Sequence, residues 1–289
     1  MTISQPTGQS QVHRTTMGNI IIAAFNEEVV IARTLTALVA VASDVRIIVS
    51  CNGCVDRTAD IARGFANVTV IDLAAASKVL ALRAGDQAAG PGPRIYLDAD
   101  VVMTARAVRD TLHVLRDGMA FAARPPVRFD STAASWPMRR WYAVRGQLPS
   151  IASKLWGAGV YGLSEEGRAR FDEFPDLVSD DTFIDDLFAA DEVTIVATDP
   201  VIVRTPRATA DLMKILRRSY RTQSEVVEEA TGALSPGQRG QVNDLAAILR
   251  RRPAAIVDVI VYASIVARAR LLSRRGTYTN WERDESSRT

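Results

Sequence analysis

The amino-acid sequence predicts an α/β fold: a mostly parallel central sheet flanked by helices, followed by a C-terminal helical extension. Three observations carry this expectation. Before residue 101, four short apolar runs rich in β-branched residues alternate with three helical patterns. Asn52-Gly53 and Pro91-Gly92-Pro93 punctuate the runs as turn signals. From Ala210 onward the pattern is largely helical.

Taken in order, Asn19 to Phe25 reads as a buried strand, and Asn26-Glu27-Glu28 opens a helical pattern through Val30, Leu35 and Leu38. Val45 to Val49 is the second strand, and Asp56 and Thr58 precede a helix through Ala59, Ile61 and Ala62. Val68 to Leu73 is the third strand, Ser77 to Ala89 a helix, and Arg94 to Leu97 the fourth strand. Such βαβ alternation makes a parallel sheet with right-handed crossovers, and ligands bind at the carboxyl ends of its strands. The loops at 23–27, 50–56 and 98–100 all fall at such ends.

Past Ala120 the pattern is less regular. Pro125-Pro126 and Trp136-Pro137 read as loops, Gly157 to Ser164 as a glycine-punctuated strand, and Glu165 to Phe171 as a short helix. Asp180 to Phe188 begins another helix, and Val193–Val196 and Val201–Val203 read as strands. The predicted division is a disordered tail over 1–17, a main domain over 18–230, and a helical segment over 231–289.

Composition narrows the class. With 289 residues, 47% hydrophobic and 24% charged, the chain can bury a core that needs neither disulfides nor a structural metal. Residues 204–289 carry a net +7 and residues 1–203 a net −5. An acidic front half argues against nucleic acid as a partner. The basic rear suits phosphate, an anionic membrane surface, or plain solvation.

Cys51 and Cys54 stand in a C-x-x-C spacing, which fits a redox dithiol, half a zinc site, or two small residues flanking a turn. His13 and His113 are the only histidines, and neither completes a zinc site by spacing. The first 17 residues lack the apolar core of a signal peptide. The longest apolar stretch, Ala254 to Ala267, is short of the ~20 residues a spanning helix needs. A cytoplasmic protein is the expectation. The apolar stripe within 253–272, bracketed by arginines, suits packing on the main domain, a homodimer contact, or a peripheral contact with the inner membrane face.

Asp98-Ala99-Asp100 ends the fourth apolar strand, and alternation sends both carboxylates to one side. Two convergent carboxylates repel unless a cation stands between them. Mg²⁺ or Mn²⁺, bound by one or two carboxylates and a substrate diphosphate, is a common solution. An isolated D-x-D is a weak signal; its place at a strand end strengthens it.

The ordered series Ala23-Ala24-Phe25-Asn26-Glu27-Glu28, Asn52-Gly53-Cys54-Val55-Asp56-Arg57-Thr58, Lys78 and Leu97-Asp98-Ala99-Asp100 resembles the family 2 glycosyltransferases over roughly residues 18–225. The resemblance implies a GT-A fold, a Rossmann-like sheet, and transfer of a sugar from a nucleotide-diphospho-sugar donor to a hydroxyl acceptor, with inversion. It implies that Ala23, Ala24, Phe25 and Glu27 line the base and ribose pocket. Asp98, Ala99 and Asp100 would face the metal and diphosphate, with Asp98 and Asp100 as Mn²⁺ or Mg²⁺ ligands. Asn52 stands where the family often has an aspartate that reads the base, so the choice of uracil is open. Lys78 would lie near the diphosphate or the base pocket; read without the resemblance, it is an exposed helix lysine.

Ser179-Asp180-Asp181 matches the family's acidic pair, which implies Asp181 as the catalytic base with Asp180 beside it. The same residues also read as a helix N-terminus. Gly157 and Gly159 resemble the family's acceptor-side glycine strand, where backbone approaches sugar closely. Arg218 and Arg221 resemble the element that closes on the diphosphate, although Thr222 replaces its tryptophan. The acceptor, lipid-linked or a small molecule, is not specified. Two other readings compete. A sugar-phosphate nucleotidyltransferase would open with a glycine- and arginine-rich loop where this chain has Ala24-Phe25-Asn26-Glu27. A non-catalytic binding module would not need both acidic motifs intact.

Overall fold

The computed structural model describes residues 16–176, 179–226 and 236–273. The first half is the anticipated alternation: β1 (Gly18–Ala24), α1 (Ile31–Leu38), β2 (Val45–Asn52), α2 (Thr58–Arg63), β3 (Val68–Leu73), α3 (Lys78–Ala88) and β4 (Arg94–Asp98). Next come α4 (Ala105–Arg116), β5 (Ala122–Arg124), β6 (Val127–Asp130), α5 (Trp136–Arg145) and α6 (Pro149–Ala152). They are followed by β7 (Val160–Leu163), α7 (Glu165–Arg168), α8 (Asp180–Asp186), β8 (Val193–Ile195) and β9 (Val201–Arg204). The last helices are α9 (Thr209–Val226), α10 (Pro236–Arg251) and α11 (Ile256–Ser273).

Seven strands form one sheet in the order β3-β2-β1-β4-β7-β5-β8. β1 to β4 run parallel, while β7 runs against both β4 and β5. A two-stranded parallel ribbon, β6-β9, stands beside it. This is the mostly parallel α/β sheet anticipated, with helices on its faces and at the C-terminal end.

Alternation divides the strand side chains between two cores. Ile20, Ile22, Ile47, Val49, Ile95 and Leu97 pack with Leu35 and Leu38 of α1 and Val108 and Leu112 of α4. Ile21, Ile48 and Tyr96 face the other way, onto Val79 and Leu82 of α3 and onto Tyr161 and Phe174. Both faces are covered, so the strands read as continuous apolar runs. A buried ionic knot ties this second layer together. Asp86 accepts from Arg94 (2.6 Å), Tyr96 (2.6 Å) and Arg168 (2.8 Å).

The structure differs from expectation between residues 120 and 160. Trp136-Pro137 is the first turn of α5, where proline's missing N–H would have no helical partner. Pro125-Pro126 is a two-residue joint between β5 and β6. The helix anticipated over 165–171 is four residues long.

A third core joins the C-terminal helices to α5. Trp141 stacks on Tyr262 with ring centres 5.4 Å apart, and Leu212, Leu216, Ile248 and Ile265 surround them. Ile256, Val257, Ile260 and Leu271 of α11 are exposed. Among the described residues, no helix is long and apolar enough to cross a membrane.

Candidate active site

The carboxyl ends of β1, β2 and β4 lie level, because Ala23 pairs with Asp98 in one register and with Ser50 in the other. Beyond β1 the chain turns at Asn26, whose φ of +52° is a left-handed conformation that asparagine tolerates. Side chains lace this turn to the loop after β2. Asn26 Oδ1 accepts from the Val55 amide (2.8 Å), Thr58 Oγ1 from the Glu27 amide (2.7 Å), and Asp56 from the Glu28 amide (3.1 Å). Burial would raise the Asp56 carboxyl, but hydrogen bonds from Thr58 and Glu28 hold it below the usual range. The loop residues 24–28 and 54–58 thus form one rigid rim.

The cysteines belong to that rim. Cys54 Sγ accepts from the Asn26 amide and donates to the Ala24 carbonyl, both at 3.4 Å. Cys51 is buried, and burial, followed by the proximity of Cys54 and Asp72, pushes its thiol up to about 12. Both thiols are free. Among the described residues, no group of three or more His, Cys, Asp or Glu could hold a metal by itself.

Asn52 ends β2 with 4% of its surface exposed, and its Oδ1 is buried without a hydrogen-bond partner. A buried acceptor left in this state costs free energy that a ligand donor would recover. Glu27 is buried nearby at the β1 end, while Ala23 and Phe25 are half-buried.

Asp98 ends β4, and the following turn is held by α1. Thr34 donates to the Ala99 carbonyl (2.7 Å) and Arg33 to the Asp100 carbonyl (3.0 Å). Lys78 opens α3 behind the Ser77 cap. A cation at that end opposes the helix dipole. Carboxylates offset it: Lys78 Nζ lies 3.0 Å from Asp98 Oδ1 and 2.8 Å from Asp180 Oδ1. Burial lowers the ammonium's affinity for its proton, but Asp180 and Asp98 outweigh that and raise it. Asp98 is pushed up to about 6, by burial first and also by Asp100 and Asp180, against the pull of Lys78. Its side chain is nonetheless 44% accessible, which places it deep in an open cleft rather than sealed in the core.

The acidic pair stands on α8. Asp180 Oδ2 accepts from the Tyr161 hydroxyl at 2.9 Å. Burial would raise its carboxyl, but Lys78 and Tyr161 hold it below the usual range. Asp181 accepts from the Gly157 amide (2.8 Å), the Thr182 amide (2.9 Å) and Ser179 Oγ. The Ser179 hydroxyl serves Asp181 and Thr182 and does not cap the helix.

Gly157 and Gly159 adopt φ values of +73° and +66°. A Cβ on Gly159 would stand 2.5 Å from Val101 Cγ2 and 3.2 Å from Asp98 Oδ2, so glycine is required there. The Gly159 carbonyl accepts from the Asp98 amide at 2.8 Å. The structure therefore gathers Lys78, Asp98, Asp180, Asp181, Gly157 and Gly159, with Asp100 beside them and the 23–27 and 52 positions on the adjoining strand ends. Arg218 and Arg221 fall within α9, but their side chains lie outside the described residues. Tyr161 was not singled out from sequence, and Ser179, read there as a helix cap, instead donates to Asp181. Alternation from Gly159 along β7 would have pointed Tyr161 to the same side. A cleft of about 340 Å³ lies elsewhere, between α9 and α11, lined by Met213 and Ile265.

Asp98 and Asp100 fit a divalent cation. They are hard oxygen donors at the tip of one strand, their mutual repulsion already shows in Asp98, and a diphosphate would complete the shell.

The class of protein that carries this fold and site follows from comparison with known proteins. The model of glycosyl transferase family 2 matches residues 19–165, half of the chain. The chain belongs to that family and is a glycosyltransferase. Among solved structures, it resembles a mannosyltransferase from Pyrobaculum calidifontis in complex with GDP-Man and Mn²⁺. The TM-score is 0.57 at 17% identity, covering 90% of this chain and 76% of that one. It also resembles glucosyl-3-phosphoglycerate synthase from Mycobacterium tuberculosis, in complex with Mn²⁺, UDP and glucosyl-3-phosphoglycerate. Here the TM-score is 0.54 at 18% identity, covering 80% and 88%. A third is TarS of S. aureus in complex with UDP-GlcNAc, with TM-score 0.50 at 12% identity, covering 88% and 91%. At these identities the likeness is one of fold: a GT-A, Rossmann-like sheet. A search of curated protein sequences finds no match. Between the readings left open by the sequence, the family match selects the glycosyltransferase. Asp180 and Asp181 lie beyond the matched segment.

Proposed function

We propose that this glycosyltransferase moves a sugar from a nucleotide-diphospho-sugar to an acceptor hydroxyl with inversion, using Asp98 and Asp100 to hold Mn²⁺ or Mg²⁺ and Asp181 as the base. When bound, the cation would supply charge neutralisation to the departing diphosphate. Lys78 contributes fixed positive charge to the same region. Ala23, Ala24, Phe25 and Glu27 line the base and ribose, and Asn52 reads the base through the acceptor oxygen it holds in reserve. Arg218 and Arg221 are assigned to the diphosphate on their resemblance to the family's closing element alone.

Asp181 is preferred to Asp180 as the base for a physical reason. Asp180 is committed to Lys78 and Tyr161, and a carboxylate held below its usual range accepts a proton poorly. Among the described residues, the hydrogen-bond donors to Asp181 are neutral, and it stands beside the Gly157–Gly159 turn where an acceptor sugar can approach backbone closely. The observation that carries the reading is the convergence of Lys78, Asp98 and Asp180 within 3.0 Å contacts at the carboxyl end of the parallel strands. Relatives of the same fold that hold GDP-Man, UDP-GlcNAc and UDP with Mn²⁺ support the donor class and the metal.

The test is a thermal-shift panel of UDP-, GDP- and dTDP-sugars with and without Mn²⁺. A ligand stabilises only the state that binds it. One base should raise the Tm, in a manner abolished by chelator and by Asp98→Ala. No shift from any donor, with or without metal, overturns the reading.

A further inference from the structure

Among the described residues, four arginines lie against aromatic rings: Arg140, Arg145, Arg168 and Arg170. Three of them also pair with a carboxylate, on Asp258, Asp86 and Glu192 respectively. Arg145, the last residue of α5, does not; among the described residues no carboxylate lies in salt-bridge contact with it. Its guanidinium carbon stands 5.3 Å from the Trp141 ring centre, 5.3 Å from Trp156 and 5.8 Å from Phe129. Rings steady a cation through their faces but leave its N–H donors unspent.

That cation lines a cleft of about 140 Å³, together with Arg124, Phe129, Trp156 and Gly157. Arg124 is 4% exposed, and it spends its donors on the Ala152, Lys154 and Pro125 carbonyls. Burial pushes its guanidinium down to about 10; Asp185 opposes this, and the charge of Arg145 adds to it. Two positive heads thus share one apolar-walled cleft, where attraction for an anion is stronger than in open water. Gly157 forms part of the wall. A Cβ there would stand 3.0 Å from Arg145 Nη2, and its amide donates to Asp181 at 2.8 Å. The unspent guanidinium and the acidic residue therefore lie on two sides of one glycine.

We propose that this cleft is the anion subsite of the acceptor, where Arg145 takes a phosphate or carboxylate while the acceptor's hydroxyl reaches Asp181. The inference rests on the reading of Asp181 as the base only for the acceptor's orientation. The anion site itself stands on the Arg145 cleft.

The test is calorimetric titration of the full chain with inorganic phosphate, glycerol phosphate and lactate, and with uncharged glycerol as control. Wild type should bind at least one charged probe and not glycerol. Arg145→Gln should weaken that binding about tenfold or more, and Arg145→Lys, which keeps charge but loses the fork, by less. Equal binding of the donor nucleotide by wild type and both variants would show that they are folded. Sedimentation with phosphatidylcholine vesicles, with and without phosphatidic acid, separates sources. An Arg145-dependent response to phosphatidic acid alone supports the site and places the anion on a lipid. Charged probes that bind all three proteins alike overturn the proposal, and so does the absence of binding to every soluble probe and to phosphatidic acid together. Arg145-dependent anion binding with no donor binding at all would leave the subsite standing and remove the donor-site reading instead.

Discussion

Lys78 Nζ lies 2.8 Å from Asp180 Oδ1. Through that contact, one ammonium joins the first turn of α3 to the first turn of α8, and its 3.0 Å contact with Asp98 adds the tip of β4. Three elements distant in sequence thus meet at a single charge.

Removing that charge should separate two effects. Lys78→Met leaves Asp98 and Asp180 facing one another, so Mn²⁺ binding in the absence of nucleotide should tighten. Turnover should fall by about 100-fold as fixed positive charge near the leaving group is lost. Stability should drop by about 1–2 kcal/mol, less than for a sealed pair because both partners keep some access to water. Calorimetry with Mn²⁺ and a donor-turnover assay check this; weaker Mn²⁺ binding would contradict it.

The neighbouring carboxylates should respond differently to the same change. The Gly157 and Thr182 amides donate to different oxygens of Asp181, and Asp181→Asn keeps an acceptor for one of them, so fold and donor binding should persist at a cost of about 1 kcal/mol while transfer falls by about 10²–10⁴-fold. Asp180→Asn uncouples Lys78 and should lower the Tm as well. Turnover and thermal unfolding measured side by side distinguish them, and an active Asp181→Asn protein would disprove its role as the base.

The strand anticipated from Gly157 begins only at Val160, because Gly157 and Gly159 take left-handed φ values in the turn before β7, and there position matters more than residue type. Gly159→Ala meets Val101 and Asp98 at a φ of +66° and should cost about 2–3 kcal/mol, from strain and forced displacement together. Gly157→Ala meets only the end of the Arg145 side chain, so its cost should stay near the ~1 kcal/mol of a left-handed alanine. Denaturant midpoints of the two variants give the comparison, and equal losses would refute it.

The Asp86 knot predicts an acid limb of stability. Burial would raise this carboxyl, but Arg168, Tyr96 and Arg94 hold it below the ordinary range. Its stabilisation is therefore present above the unfolded-state value of about 3.9 and is lost as pH falls below that, through the folded-state value. Asp86→Asn should cost about 3–5 kcal/mol at neutral pH, because Arg94 and Arg168 are left without their anion. The variant should also show a flatter stability profile below pH ~4. Urea unfolding across pH tests both, and an unchanged acid limb would contradict the assignment.

The parallel half of the fold was legible because β1, β2 and β4 are covered on both faces, which writes largely apolar runs into the sequence, while β3 at the sheet edge keeps its β-branched run between the exposed Thr69 and Asp72. The third strand was read at its observed bounds, Val68–Leu73. The stretch from 120 to 160 was opaque for physical reasons. β5 is three residues long, too short to show a period, and α5 opens with Trp136-Pro137, a pair that reads equally as loop. α4 did carry a signal, with buried residues at 107, 108, 111, 112 and 115 spaced by threes and fours. Within the cleft, Asp98, Asp100, Asp180 and Asp181 were readable as types at strand and helix ends. What could not be read was Lys78 reaching two of them, Tyr161 holding Asp180, or Arg145 closing on Gly157. Those contacts join residues 12 to 102 positions apart, and only the tertiary fold brings them together.

The stack of Tyr262 on Trp141 reaches further than its own core. Trp141 sits one turn before Arg145 on the same helix, and it is also one of the rings that steady the guanidinium. Whatever draws the last helix aside therefore removes the backing from that ring and slackens the arginine's hold. The tail of the chain acts as a buttress, and the shape of the cleft's far wall is fixed from a hundred residues downstream.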